Sequence, residues 1–294
     1  MSGDPGRCLQ DLAIGLEGLA LLRHAVDCPD GFSTARRDDI RHLLEEPPGE
    51  QEAGAAPAGC LAEIAPLTAY ASWAPTYDSL PNGLIEVEEP AVHALVDAAR
   101  SRLPGGQGGR ALDAACGTGR HAAALVARGY ATVGVDESPA MLAVARSKVP
   151  HARFETGQLE QLPLADGAVD LAVCALAFTH LPDISAATAE LARVVVPGGR
   201  IIISDPHPMV CLLQSKLLFA GADGRLSFMR YHTHLPGECL ASFAQAGLTV
   251  VSCHEPLFNG RLPAGGFEEA IAPAARAAWE GIPAAIVWEL ERSG

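Results

Sequence analysis

Short apolar runs alternate with amphipathic stretches along most of the chain beyond residue 61. The runs, which are typical of strands buried on both faces, lie at 111–115, 131–135, 169–174 and 200–204. Apolar residues spaced three and four apart predict helices between them, at 119–128, 138–148 and 183–196. Strands that alternate with helices predict an α/β fold with a mostly parallel sheet covered on both faces.

The pattern continues towards the end of the sequence. It predicts two further helices, near 209–219 and at 236–247, and two further strands, near 248–254 and 284–290. Pro283 directly precedes the last of these strands. Because proline is confined to the start or the edge of a sheet strand, this segment is typical of an edge or antiparallel strand.

The first 60 residues have a different character. Leucines recur at spacings of three and four and predict a helix over 7–27, on the stripe formed by Leu9, Leu12, Leu16, Leu19 and Leu22. A second helix is predicted over 34–46, and the composition of 47–59 indicates a linker. We therefore divide the chain into a helical extension and linker, 1–60, and a main domain, 61–294. The leucine stripe must be buried, either on the main domain as a lid or brace or across a homodimer.

Composition and charge exclude several classes of function. The net charge is −14, and the sequence has no basic cluster, so a nucleic-acid partner is not expected. No signal peptide is evident, and no apolar stretch reaches the roughly 20 residues that a membrane helix needs. The eight cysteines form no CxxC pair and have no zinc-ligand spacing with histidine. We expect a cytoplasmic protein with reduced cysteines, no metal site and no membrane contact.

The sharpest local signal is a glycine loop that follows the strand at 111–115. Gly117, Gly119 and Ala122 satisfy the loose dinucleotide pattern GxGxxG/A, which alone is weak. Asp113 lies four residues before Gly117, where a carboxylate would repel a pyrophosphate but attract an ammonium group. The loop also lacks the Gly-Lys-Ser/Thr of a P-loop. An amino acid joined to a nucleoside therefore fits the loop better than a phosphate chain does.

A second carboxylate ends the next strand. Asp136 lies 23 residues after Asp113, at the place where a carboxylate can accept hydrogen bonds from both hydroxyls of a ribose. Met141, one turn into the following helix, is placed to pack on an adenine ring. Although a single aspartate at a strand end is more often a cap or a solvated loop residue, two at this spacing around a glycine loop favour a nucleoside site.

At this point the sequence resembles the class I S-adenosylmethionine-dependent methyltransferases. It is most similar to the small-molecule branch that includes quinone-ring C-methyltransferases and natural-product tailoring enzymes. The resemblance covers about residues 65–290 and rests on LDAACGTGRHAAALVARGY, VGVDESPAMLAVAR, FETGQLEQLPLADGAVDLAVCALAFTHLPD and ELARVVVPGGRIIISDPHP. It implies a Rossmann-like, doubly wound, mostly parallel seven-stranded sheet with an antiparallel C-terminal strand. It also implies S-adenosyl-L-methionine as cofactor and a small methyl acceptor, in secondary metabolism.

The resemblance assigns roles position by position. Asp113 would hold the amino group of the cofactor, Asp136 the ribose, and His180 would lie near the point of methyl transfer. Residues implied in cofactor binding are Tyr77, Asp113, Ala115, Gly117, Gly119, Asp136, Glu137, Met141, Gln158, Leu159, Ala175 and His180. Two positions depart from the family pattern, which often has Gly at Ala115 and usually has Asp at Gln158. We expect weaker cofactor binding at Gln158, because an amide oxygen accepts without charge assistance.

The methyl acceptor is less clearly indicated. Transfer needs a base only where the acceptor must first lose a proton, and His180 and His207 are the candidates for that role. We expect the apolar side chains between 208 and 266 to build the substrate wall, which favours an apolar or aromatic acceptor. Two alternatives stay open: a cyclase or decarboxylase that binds S-adenosylmethionine without transferring its methyl group, and an NAD-dependent oxidoreductase, against which Asp113 argues.

Overall fold

The structure, a computed structural model, describes residues 5–24, 31–45, 62–79, 82–103, 108–213, 216–220, 226–258 and 275–294. Its helices are α1 (Pro5–Arg23), α2 (Phe32–Glu45), α3 (Pro66–Trp73), α4 (Gly83–Ser101), α5 (Arg120–Ala127), α6 (Pro139–Lys148), α7 (Ser185–Val194), α8 (Pro208–Leu213) and α9 (Pro236–Gln245). Its strands are β1 (Ala62–Glu63), β2 (Arg110–Ala114), β3 (Ala131–Asp136), β4 (Arg153–Thr156), β5 (Val169–Ala175), β6 (Val195–Pro206), β7 (Lys216–Ala220), β8 (Leu226–Arg230), β9 (Leu248–His254) and β10 (Ala285–Arg292). The predicted linker at 47–59 lies outside the described residues, so the boundary at residue 60 stays a prediction.

A seven-stranded sheet forms the centre of the fold, in the order β4-β3-β2-β5-β6-β10-β9. The pairs within β4-β3-β2-β5-β6 are parallel, whereas β10 runs antiparallel to both β6 and β9. Helices α5, α6 and α7 connect successive parallel strands. The α/β fold class, the parallel sheet and the antiparallel C-terminal strand are therefore confirmed.

Both faces of the sheet are buried, which explains the continuous apolar runs in the sequence. Ile201 and Ile202 are neighbours on β6 and point to opposite faces, because successive side chains of a strand alternate. Ile202 packs in a cluster with α4, and Ile201 packs in a cluster with α7 and α9. A strand covered on both sides needs apolar residues at every position rather than at every second one.

The order of the strands reverses between β2 and β5. From β2 the chain continues to β3 and β4 on one side, and β5 and β6 lie on the other. In open α/β sheets a crevice for ligands forms at such a switch point, beyond the carboxyl ends of the strands. Here those ends are Ala114 and Ala175.

The helix predicted near 209–219 is partly wrong. Helix α8 ends at Leu213, and β7 begins at Lys216 and pairs antiparallel with β8. Strand β1 adds to β8 in parallel, and the three strands form a second, small sheet. A run of apolar residues fits a helix or a strand equally well over so few positions, and the pairing with β8 decides the outcome.

The N-terminal helices pack on their own chain. Ala13, Leu16 and Ala20 of α1 are buried in a cluster with Trp279 and the start of β10. Leu22, which the predicted stripe placed on the buried side, is 75% exposed, so the buried face is rotated relative to the leucines. Within the ranges that the structure describes, no helix is both long enough and apolar enough to span a membrane.

Candidate active site

A cavity of about 200 Å³ opens at the switch point, beyond the carboxyl ends of β2, β3 and β5. It gathers residues that lie far apart in the sequence. The site residues predicted from the sequence that line this cavity are Tyr77, Asp113, Ala115, Gly117, Asp136, Glu137, Met141, Gln158, Leu159, Ala175 and His180. Their roles towards a ligand remain predictions, but the fold brings them into one place.

The glycine loop connects β2 to α5 through left-handed backbone. Gly117 and Gly119 have φ angles of 52° and 79°, which glycine adopts without steric cost. Ala115 has a φ of 53° although it carries a Cβ, which is a strained conformation. Gly119 does not line the cavity, and a Cβ on it would meet Ala145 at 3.3 Å. Glycine at position 119 is therefore favoured both by its left-handed backbone and by its close packing against α6.

Asp113 is 2% exposed and faces the cavity from the end of β2. Its Oδ2 accepts a hydrogen bond of 2.7 Å from the backbone N–H of Ala122, in the first turn of α5. Burial raises the pKa of Asp113 to about 7, in spite of that hydrogen bond. A carboxyl group with such a pKa is readily ionised by a cation that enters the cavity, since the cation replaces the lost solvation.

Asp136 ties the second strand to the glycine loop. Its Oδ2 accepts from the backbone N–H of Gly117 at 2.8 Å, and its Oδ1 accepts from that of Ser138 at 2.8 Å. Burial raises the pKa of Asp136. Each carboxylate oxygen can accept a further hydrogen bond. The side chain is therefore fixed in position while it retains capacity for a ligand.

Apolar side chains and the amide of Gln158 line the same cavity as Asp136. Met141, 2% exposed, lies on α6, whose first turn is capped by the side chain of Ser138. Gln158 and Leu159 follow β4, and Leu159 is 9% exposed. A flat, largely apolar ring with polar edges fits a slot of this composition.

A histidine and a tyrosine face each other at the other end. The Nε2 atom of His180 lies 2.9 Å from the hydroxyl of Tyr70, and the two rings meet edge to face. Burial lowers the pKa of His180 to about 4, so the imidazole is neutral at physiological pH. Burial also raises the pKa of Tyr70 well above its ordinary value, which keeps the hydroxyl protonated. The pair therefore offers neutral hydrogen-bonding groups.

Tyr70 is not among the site residues predicted from the sequence, although it belongs to a regular aromatic series. Tyr70, Trp73 and Tyr77 recur every three or four residues, and their ring centroids lie 5.6–6.1 Å apart. Tyr70 and Tyr77 line the cavity, so two members of this aromatic cluster also form part of its wall. The spacing of three and four residues indicates that the three rings share one face of the segment. The sequence alone does not show that this face lines a cavity.

A carboxylate fastens this aromatic segment to the glycine loop and to α6. Asp78 Oδ1 accepts from the hydroxyl of Thr118 at 2.7 Å, and its Oδ2 accepts from Lys148 Nζ at 2.8 Å. Thr118 belongs to the glycine loop and Lys148 to the end of α6. The segment that closes the cavity is thus held at both the loop and the neighbouring helix.

His207, the second candidate base, does not line the cavity. Its Nε2 lies 2.9 Å from Glu255 Oε1, and its Nδ1 accepts from the backbone N–H of Met209. The structure therefore does not bring the two candidate bases, His207 and His180, into the same cavity. The direction of a side chain after the end of β6 could not be inferred from its place in the sequence.

The substrate wall expected from the apolar residues between 208 and 266 is corrected in part. Met209, Leu212 and Leu213 are 43%, 65% and 55% exposed, and Val210 is buried against α1 rather than in the cavity. The outer wall comes from Pro66, Leu67 and Tyr70, which precede β2, and from Leu181, which follows β5. Met229 and Leu217 pack in a cluster with Tyr70, and the ring of Tyr231 lies 6.2 Å from that of His180, so part of the expected stretch supports this wall. Residues 259–266 lie outside the described part of the chain. Among the residues described, no group of three potential metal ligands is found.

Comparison with known proteins agrees with this geometry. Residues 112–203 match the family model described as "Methyltransferase domain". The chain is 40% identical over 97 residues to a malonyl-[acyl-carrier protein] O-methyltransferase of Serratia marcescens, which is 33% of this chain and 38% of that protein. It is 35% identical over 136 residues to a demethylmenaquinone methyltransferase of Chlorobaculum parvum, 45% of this chain and 56% of that protein. The chain thus spans less than two thirds of the length of these curated relatives.

Solved structures share the fold. An S-adenosylmethionine-dependent methyltransferase from Mesorhizobium loti aligns with a TM-score of 0.50 at 22% identity, over 67% of this chain and 96% of that one. A putative methyltransferase of Haloferax volcanii, in complex with the Trm112 activator, aligns with a TM-score of 0.53 at 20% identity, over 76% and 98% of the two chains. Residues 112–203 therefore match the methyltransferase-domain family, and the chain has the fold of solved S-adenosylmethionine-dependent methyltransferases, the class that its sequence resembles.

Proposed function

We propose that the protein binds S-adenosylmethionine in this cavity and transfers its methyl group to a small, apolar or aromatic acceptor. The observation that carries the proposal is the position of Asp113 and Asp136 in one cavity at the switch point of a methyltransferase domain. We also propose a place in secondary metabolism, since the sequence resembles tailoring enzymes.

The residues of the cavity fit this cofactor along its length. A Cβ on Gly117 would meet no atom within 4 Å, so the loop backbone is open to a ligand. Asp113 suits the ammonium of the amino-acid end, and Asp136 suits the ribose hydroxyls. Met141 and Leu159 suit one face of a purine. A sulfonium cation suits a cavity that holds more carboxylates than cations among its described lining residues.

The same charges argue against a dinucleotide. Asp113, Asp136, Glu137 and Glu160 line the cavity. Among the residues described there, the guanidinium of Arg120 is the cation, and it is ion-paired with Glu88. Among the described lining residues, a pyrophosphate would meet four carboxylates and a single guanidinium, so the NAD-dependent alternative is not favoured.

The chemistry asked of the protein is mainly positioning. Bound S-adenosylmethionine supplies an electrophilic methyl group on a sulfonium sulfur. Holding an acceptor in line with such a group can contribute effective molarities of about 10⁵–10⁸ M. Leu67 and Leu181 exclude water from the acceptor end, while Tyr70 and His180 orient a polar group on the acceptor. A histidine whose pKa is about 4 is a weak base, so we assign His180 an orienting role.

The relatives support a small acceptor without defining it. Two of them are named for demethylmenaquinone and for malonyl-[acyl-carrier protein], a quinone and an acyl chain. The neutral lining of the acceptor end, with Tyr70, His180 and Leu67, favours an uncharged aromatic compound over a carboxylate. A hydroxylated aromatic or a quinol is therefore the acceptor class that we propose.

The test uses S-adenosylmethionine labelled in its methyl group. The protein is incubated with a naphthoquinol, a simple phenol and a malonyl thioester, and S-adenosylhomocysteine and labelled product are measured together. We expect label in the naphthoquinol or the phenol, abolished in Asp136→Ala and retained in His151→Ala, an exposed position outside the cavity. Binding of the cofactor without release of S-adenosylhomocysteine from any acceptor would favour the cyclase or decarboxylase alternative.

A cytoplasmic location remains our prediction. It is supported by unpaired thiols in the described core, at Cys116, Cys174, Cys211 and Cys239. Burial raises the pKa of each of these thiols, as expected of cysteines that serve as small apolar residues. A reducing compartment suits such a core.

A further inference from the structure

An arginine that the sequence analysis did not single out lines the cavity. Arg120 is the first residue of α5, directly after the glycine loop, and its side chain is 20% exposed. Its Nη1 donates to Glu88 Oε2 at 2.9 Å and to Glu89 Oε1 at 3.3 Å. Within the described part of the chain, Arg120 donates only these two hydrogen bonds, both from Nη1. The N–H groups of Nε and Nη2 therefore remain available to a ligand. A guanidinium in this state can still donate two parallel hydrogen bonds.

The partner of Arg120 is an unusually well-buried carboxylate. The side chain of Glu88, on α4, has no exposure, and its Oε1 accepts from the hydroxyl of Ser204 at 2.5 Å. Burial by itself would raise the pKa of Glu88, but its hydrogen bonds and the neighbouring Arg120 and His121 hold it at about 2. Glu88 is therefore an anion at all physiological pH values. It fixes Arg120 from the side of α4, which leaves the rest of the guanidinium free to face the cavity.

Arg120 and Asp113 place opposite charges at the two sides of the glycine loop. Asp113 ends β2 before the loop, and Arg120 begins α5 after it; both line the cavity. Arg120 acts on Asp113 electrostatically and favours its ionised form. The amino-acid end of S-adenosylmethionine carries an ammonium and a carboxylate. A cavity with one carboxylate and one guanidinium beside the same loop is complementary to both groups.

We propose that Arg120 binds the carboxylate of the amino-acid end of the cofactor, and that Glu88 is the positioning residue that holds the guanidinium in place. The proposal rests on the proposed function and adds a specificity to it. The protein should distinguish S-adenosylmethionine from its decarboxylated form, which has the same sulfonium, ribose and adenine but no carboxylate. A purely structural Arg120, serving only as the counterion of Glu88, would not create that distinction.

The experiment is a calorimetric titration with three ligands: S-adenosylmethionine, decarboxylated S-adenosylmethionine and 5′-methylthioadenosine. Wild-type protein is expected to bind the first about tenfold to a hundredfold more tightly than the second, the range typical of a charge-assisted hydrogen-bonded pair. Arg120→Met should reduce this ratio to near one while leaving the affinity for 5′-methylthioadenosine unchanged. Arg120→Lys should restore part of the ratio, since lysine supplies the charge without the fork of donors.

Two more variants separate positioning from folding. Glu88→Gln keeps the shape of the side chain but not its charge, and should lower the ratio less than Arg120→Met does. Arg128→Met serves as the matched control, because Arg128 pairs with Asp97 at the far end of α5 and does not line the cavity. It should leave all three affinities unchanged.

The outcomes distinguish a failure of the role of Arg120 from a failure of the proposed function. An Arg120→Met variant that weakened all three ligands equally, or that kept the wild-type ratio, would overturn the role of Arg120 and leave the proposed function standing. Wild-type protein that bound none of the three nucleosides would overturn the proposed function and this inference together. Equal affinity of the wild type for both sulfonium compounds would reject the carboxylate contact alone.

Discussion

Asp113 is a buried acid whose ionisation is set by the cavity. Burial raises its pKa to about 7, so near neutral pH a large share of the ligand-free protein holds this carboxyl protonated. In the unfolded chain the group ionises near its ordinary pKa of about 4. The folded state therefore binds a proton that the unfolded state releases. As the pH rises from about 4 to about 7, this group makes the ligand-free fold progressively less stable.

The same pKa gives the cofactor affinity a pH dependence. Because only the ionised carboxylate attracts an ammonium, affinity for S-adenosylhomocysteine should rise about tenfold between about pH 6 and pH 8 and then level off. Asp113→Asn should bind more weakly at pH 8 and lose this dependence. Calorimetry across the pH range measures both, with Asp97→Asn as the control on the surface. If Asp113→Asn kept the wild-type pH dependence of affinity, a different ionisable group would be responsible for it.

Ala115 carries strain that glycine would relieve. Its φ of 53° lies in the left-handed region, which costs a residue with a Cβ roughly 1–2 kcal/mol. Ala115→Gly should therefore raise the free energy of unfolding by about 1 kcal/mol, after the greater entropy of unfolded glycine is included. Urea denaturation measures the change. Ala114→Gly, one residue earlier in extended backbone, should destabilise the protein, and the same sign for both variants would contradict the argument.

Among the elements, the aromatic segment held by Asp78 is the one that closes the cavity. Asp78→Ala removes the contacts to Thr118 and Lys148. The Lys148 pair is partly exposed and contributes little, so the effect comes mainly from the buried Thr118 hydroxyl. We expect S-adenosylhomocysteine to dissociate about threefold to tenfold faster, and amide exchange to increase in 66–79. Asp166→Ala, which removes another exposed ion pair, should change neither the dissociation rate nor the amide exchange. Unchanged amide exchange in 66–79 of the Asp78→Ala variant would contradict the role of Asp78 in holding this segment.

Helix α1 offers a test of the packing of the N-terminal extension. Leu16 is 5% exposed in the cluster with Trp279, so Leu16→Ala should cost about 2–4 kcal/mol of unfolding free energy. Leu22→Ala, at a position 75% exposed, should cost less than about 0.5 kcal/mol. Thermal or urea denaturation compares the two. If Leu22→Ala cost as much unfolding free energy as Leu16→Ala is expected to cost, the buried face would be the leucine stripe predicted from the sequence rather than the rotated face.

The elements also show where sequence patterns suffice. Strands β2, β3 and β5 are rich in apolar residues, and the helices that follow them have clear periodicity, so these elements were predicted within a few residues. Strand β6 was predicted only over 200–204, because its first half contains Pro197 and two glycines. Strand β7 was predicted as helix, because its identity depends on pairing with β8 rather than on its own five residues. Likewise, the residues of the glycine loop were identified from their motif. Tyr70 and Arg120 were not, because their roles depend on which way a side chain points in the assembled fold.

At the scale of the whole molecule, the site draws on more of the chain than the matched domain does. The family match covers residues 112–203, whereas the cavity extends from Pro66 to Leu181. The cofactor end lies within the matched part, and the outer wall at Pro66, Leu67 and Tyr70 lies before it. Relatives that share only the matched part therefore indicate the cofactor more strongly than the acceptor. The identity of the acceptor must be sought with variants of the outer wall.

The central claim is that the acidic cavity selects a nucleoside joined to an amino acid over a phosphorylated dinucleotide. Side-by-side calorimetric titration of wild-type protein with S-adenosylhomocysteine and with NADH at pH 8 tests it most directly. We expect one molecule of S-adenosylhomocysteine to bind per chain and no measurable heat from NADH at the same concentrations. Saturable binding of NADH, with S-adenosylhomocysteine unbound at millimolar concentration, would contradict it.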